Sequence, residues 1–128
     1  MATIRDVMHE GIISVAPSST VAEAATVMGG KHVGSALVRE GDTVLGIFTE
    51  RDIVRALSQD FDAPGHQVSH WMTADPTMVG PDMSVEEALG LMRAGGFRHL
   101  PVREGDRVVG MVSIRDLAGA GIDPAGAS

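Results

Sequence analysis

The chain has 128 residues, 17 acidic against 10 basic side chains, a net charge of −7 and no cysteine. That length holds one compact unit or two small halves sharing a core. The acidic balance argues against a nucleic-acid partner, which needs a basic face for counterion release, and the missing cysteines remove disulfides, thiolate metal sites and cysteine nucleophiles.

An apolar fraction of 44% with 21% charged residues fits a globular protein. No uncharged apolar run approaches a bilayer span, and the opening "MATIRDVMHE" lacks the basic region and apolar stretch of a signal peptide. A cytoplasmic protein without a membrane partner is expected.

In chain order, "IISV" (12–15) reads as a short strand that Pro17 ends. "STVAEAATVM" (19–28) has helical spacing; Thr20 with Glu23 makes a capping box at its start and Gly29-Gly30 mark its end. "SALVR" and "TVLGIF" read as two strands joined at "REGD", a turn. A helix starts at Thr49, and "DFDAPGH" (60–66) reads as a linker. The order then recurs: "TMV", a helix over "MSVEEALGLM" with Ser84 and Glu87 at its start and Gly95-Gly96 at its end, strands "LPVR" and "RVVGMV", and a helix from Ser113. Residues 119–128 form a small-residue tail, expected to be loosely ordered.

The recurrence is a duplication. A shift of 64 places Met8 on Met72, Pro17 on Pro81, Glu23 on Glu87, "VREGD" (38–42) on "VREGD" (102–106) and Arg51-Asp52 on Arg115-Asp116. The fold class predicted is α+β, two βαββα repeats, with one copy over 1–59 and the other over 67–118. Some 60 residues bury little apolar surface alone, so the copies are expected to pack on each other about a pseudo-twofold axis.

Each copy ends in the same heptapeptide, "GIFTERD" (46–52) and "GMVSIRD" (110–116). Thr49 and Ser113 suit N-caps, with Asp52 and Asp116 at N3. The same junction offers free backbone N–H groups, a hydroxyl and a carboxylate, which also suits a phosphorylated ribose whose diol the carboxylate accepts. Both readings stand on the residues alone. His66 and His70 are four apart but lack a third metal ligand, the repeat-related methionines suit core packing, and Trp71 suits docking on the other copy or on a partner. No G-x-S-x-G, Walker loop or H-E-x-x-H is present, so no enzyme is expected.

The doubled unit with G-h-x-[ST]-x-x-D in register twice, together with "FRHLPV" (97–102), resembles a pair of cystathionine β-synthase (CBS) domains, a Bateman module, over about residues 3 to 118. The resemblance implies a regulatory sensor that binds AMP, ADP or ATP, with NAD or S-adenosylmethionine in the same class and magnesium accompanying ATP. It also implies a homodimer, for which a helical face using Val7, Ile53, Leu57, Trp71 and Leu117 is expected, and an unidentified regulated protein. Two clefts follow from it. The first would take Ile47, Thr49 and Asp52 with Thr77, Met78, Arg98 and His99; the second would take Met111, Ser113 and Asp116 with Ile13, Gly34 and Ser35. Arg98 and His99 can pair with phosphate, whereas the second cleft faces Gly34 and Ser35 without that basic residue, only His32 and Lys31 lying nearby, so phosphate is expected in the first cleft. The alternative is a dimerisation scaffold whose motifs serve only as caps.

Overall fold

The computed structural model describes residues 2–119. The expected tail therefore lies outside the described residues except for Gly119, which closes the last helix. The chain packs as two units: Ile12–Pro76, and the segment ending at Gly11 joined to the chain from Thr77 onward.

In the unit Ile12–Pro76, β1 (Ser14–Val15), β2 (Ser35–Glu40), β3 (Thr43–Thr49) and β4 (Thr73–Ala74) form one sheet in that order. β1 runs parallel to β2, and the other pairings are antiparallel. Helix α2 (Val21–Lys31) follows β1, and α3 (Glu50–Gln59) follows β3. Their apolar faces close a core of Val21, Ala24, Met28, Ala36, Val38, Phe48 and Ala56.

The capping box at Thr20 is present, with the Glu23 N–H donating to Thr20 Oγ1 at 3.1 Å and the Thr20 N–H to Glu23 Oε1 at 2.8 Å. Gly29-Gly30 do not end the helix as expected. It runs on to Lys31, and His32 takes the left-handed position at φ 56°. The His32 N–H reaches the Gly29 carbonyl and the Val33 N–H the Met28 carbonyl, so the end is satisfied without a glycine in that place. In the second copy the expected glycine does serve: Gly96, at φ 72°, caps α5 (Val85–Gly95).

Residues 60–72 fold back onto the first copy. Ala63, in a 3-10 turn over Ala63–Gly65, is fully buried, and Val68 and Trp71 of the four-residue helix α4 (Val68–Trp71) complete the core. The stretch read as a linker thus contributes a core residue. The Val21 N–H donates to the His66 carbonyl at 2.9 Å and the Val68 N–H to the Ser19 carbonyl at 2.8 Å.

The other unit repeats the pattern. Hairpin strands β5 (His99–Glu104) and β6 (Arg107–Ser113) lead into α6 (Ile114–Gly119). Val79 bridges Val102 in parallel on one side, and His9 bridges Met111 antiparallel on the other. The incoming helix here is α1 (Ile4–Val7), whose fully buried Ile4 joins Val85, Ala88, Met92, Leu100, Val112 and Leu117. Trp71 and Leu117 are therefore buried in the cores of their own units, which removes both from the apolar surface expected for a dimer.

The motif glycines admit these returning segments. A Cβ on Gly46 would meet Met72 Sδ and the Thr73 carbonyl oxygen, both at 2.6 Å. One on Gly110 would meet Met8 Sδ at 2.6 Å and the His9 carbonyl oxygen at 3.2 Å. A thioether can swing aside and a strand carbonyl cannot. Gly46→Ala is expected to lower stability by about 1–3 kcal/mol, as overpacking does, and Gly110→Ala by clearly less; urea denaturation of the two variants orders them.

Candidate functional site

Local chemistry builds each heptapeptide into the same strand-to-helix corner. In the first, Asp52 Oδ2 accepts the Thr49 N–H at 2.9 Å and the Thr49 hydroxyl at 3.2 Å. In the second, Asp116 Oδ2 accepts the Ser113 N–H at 2.7 Å and its hydroxyl at 3.0 Å, while the Asp116 N–H donates to Ser113 Oγ at 3.1 Å. Both motifs therefore cap helices, as their spacing predicts.

Register gathers the candidate residues at this corner within each unit. In Ile12–Pro76, the Ile13 carbonyl accepts the Leu37 N–H, Leu37 lies opposite Ile47, Ser35 lies opposite Thr49, and the Gly34 carbonyl accepts the Glu50 N–H at 3.1 Å. Ile13, Gly34, Ser35, Ile47, Thr49 and Asp52 thus share one end of one sheet. In the other unit, His99 lies opposite Ser113, Pro101 opposite Met111, and the Arg98 carbonyl accepts the Ile114 N–H at 2.9 Å. Thr77 and Met78 run into Val79, whose N–H and carbonyl bond to Pro101 and Arg103 of β5. Thr77, Met78, Arg98, His99, Met111, Ser113 and Asp116 form the matching corner.

The two carboxylates differ. Among the described residues Ser35 and Asp52 are the buried polar ones, and Asp52 is 7% exposed. Its Oδ1 accepts from Arg55 Nη2 at 3.2 Å. Arg55 Nη2 also donates to the Trp71 carbonyl at 2.6 Å, and the guanidinium lies 5.2 Å from the indole centroid, a cation–π distance. Both Asp52 oxygens are thus engaged within the unit. On Asp116, both bonds from Ser113 and the contact with His9 Nε2 at 3.5 Å fall on Oδ2, and the side chain remains 24% exposed.

The repeat alignment pairs Arg51 with Arg115, and sequence reasoning passed over Arg55 and His9, the side chains that face the carboxylates. His66 and His70 pack around Trp71 instead of converging on a metal. The indole N–H donates to His66 Nδ1 at 3.2 Å, and the His70 ring meets the indole edge-on at 5.2 Å. Among the described residues no group of three or more His, Asp or Glu could hold a metal ion, and no helix is long and apolar enough to cross a membrane.

A duplicated α+β unit with a capped carboxylate at each strand-to-helix corner defines a tandem-repeat module of two similar sites. The CBS domain family matches the chain twice, over residues 4–59 and 68–123, and the chain belongs to that family. An uncharacterized 17.7 kDa protein of Acidianus ambivalens is 42% identical over 96% of this chain and 76% of its own. The CBS-domain containing protein ATU1752 of Agrobacterium tumefaciens superimposes with a TM-score of 0.88 at 32% identity, covering 94% of this chain and 100% of that one. The CBS domain pair of protein MJ0100, solved in complex with 5′-methylthioadenosine and S-adenosyl-L-methionine, shares the fold at a TM-score of 0.84 and 22% identity, over 94% of this chain and 95% of that one. The family and these relatives indicate no catalytic class.

Proposed function

We propose that this chain is a cytoplasmic, non-catalytic sensor that binds adenosine-containing nucleotides of the AMP, ADP and ATP class and regulates a partner protein accordingly. The observation that carries the reading is Asp116: its Oδ2 is spent on the helix cap, while the side chain stays a quarter exposed beside backbone and hydroxyl groups suited to a ribose. The adenosine ligands of MJ0100 support the same ligand class. In this reading the ligand-contacting residues are Ile47, Thr49, Asp52, Thr77, Met78, Arg98 and His99 for one site, and Ile13, Gly34, Ser35, Met111, Ser113 and Asp116 for the other.

A thermal-shift screen of AMP, ADP, ATP, NAD and S-adenosylmethionine, with and without magnesium, tests it. A ligand at 100 times its dissociation constant adds about 2.7 kcal/mol of stability. No shift with any of the five would leave the motifs as caps and the chain as a scaffold.

The sensor works as a homodimer. Val54, Leu57 and Phe61 follow helical spacing along α3 and just past its end, and Val54 and Phe61 are 67% and 86% exposed. Apolar side chains exposed in series along one helix mark an association surface. Light scattering is expected to give the mass of two chains, and Val54→Glu with Phe61→Glu the mass of one. A wild-type monomer across micromolar concentrations would remove the dimer.

A further inference from the structure

We propose that Arg55 is a latch that couples the state of the Asp52 carboxylate to the seat of Trp71. It builds on the nucleotide reading in that a ribose diol is the natural group to change Asp52. One nitrogen, Arg55 Nη2, bridges Asp52 Oδ1 and the Trp71 carbonyl at 3.2 and 2.6 Å, while the guanidinium lies against the indole. Oδ2 belongs to the Thr49 cap, so a diol reaching this carboxylate turns to Oδ1 and competes there with the guanidinium. The Arg55 side chain is 45% exposed, and without its countercharge only the Trp71 carbonyl and ring hold it against the pull of water. Its departure strips Trp71 of a charge-assisted bond and a cation–π contact at once.

The duplication argues that this is a specialised device. Under the 64-residue shift Arg55 falls on Gly119 and Trp71 on Val7, so the second copy keeps the hydroxyl and the carboxylate but lacks both latch parts. Occupancy of the first motif is thereby transmitted to α4, the helix that begins the second copy in sequence, through an arginine and a tryptophan that the second motif does not have at the matching positions.

Trp71 is the only tryptophan and the chain has no tyrosine, so its emission reads the latch directly. Arg55→Met keeps the length of the stem and removes the donors; Asp52→Asn removes the countercharge and keeps one oxygen to accept in the Thr49 cap. In ligand-free protein both are expected to red-shift the emission and raise its quenching by acrylamide, with circular dichroism confirming the fold. Saturating AMP should move wild type the same way, and Arg55→Met should bind AMP at this motif about tenfold more tightly, since the ligand no longer competes with a charge-assisted bond. Wild-type emission and quenching in both ligand-free variants overturns the latch. So does calorimetrically verified AMP binding that leaves Trp71 unmoved and unaffected by Arg55→Met. Should AMP, adenosine and S-adenosylmethionine all fail to bind while the variants shift the emission, the nucleotide reading fails and the coupling stands.

Discussion

Trp71→Ala is expected to lower the stability of the fold by about 3–5 kcal/mol, the range for truncating a large buried aromatic residue. Trp71 is 6% exposed and belongs to the same core as Phe48, Val68 and Ala63. Truncation empties that space, leaves His66 Nδ1 without the indole donor and removes the ring beneath Arg55. Against a typical domain stability of about 5–15 kcal/mol this is a large share. Val7, the repeat counterpart, is partly exposed and much smaller, so Val7→Ala should cost far less. Urea denaturation followed by far-ultraviolet circular dichroism measures both. A Trp71→Ala loss within 1 kcal/mol of that of Val7→Ala would mean that α4 is peripheral to the core it completes here.

What was legible in the sequence follows the range of the interaction. The corners at Thr49 and Ser113 form through bonds three residues apart, so the motif announces its own geometry. Likewise the hairpins at 40–43 and 104–107 need only a tight turn, and Gly41 and Gly105 supply it at φ 61° and 62°. The return of α1 onto the second copy and of α4 onto the first rests on contacts tens of residues apart, such as the Ile4 N–H to the Met83 carbonyl and the Val68 N–H to the Ser19 carbonyl. Its trace in the sequence was the pairing of Met8 with Gly110 and Met72 with Gly46, each repeated 64 residues apart. The carboxylate partners were hidden for the opposite reason. A search for repeated residues favours Arg51 and Arg115, whereas Arg55 and His9 have Gly119 and Thr73 as counterparts and stand out only where the copies differ. The helix end at His32 escaped because the residue in the left-handed position need not be glycine when two backbone bonds hold it.

Asp116→Ala is expected to weaken adenosine binding about ten- to a hundred-fold, the worth of charge-assisted hydrogen bonds of about 1.5–3 kcal/mol. Its capping bonds also go, at about 0.5–2 kcal/mol of stability. Asp52→Ala shifts the balance toward stability. It removes a cap of the same kind and the partner of Arg55, but Asp52 Oδ1 is already occupied, so a diol gains less there. Two physical effects then rank the motifs in opposite orders. Carboxylate availability favours Asp116, whereas under the proposed grouping of site residues phosphate pairing with Arg98 and His99 would favour the Asp52 site. Adenosine carries no phosphate and reads the first effect alone, while AMP reads both. Calorimetric titration of wild type, Asp52→Ala and Asp116→Ala with each ligand separates them: adenosine should lose more affinity in Asp116→Ala, and the gap between the variants should narrow or reverse with AMP. Equal losses for both ligands in both variants would remove the asymmetry, and no loss in either would leave both carboxylates as helix caps alone.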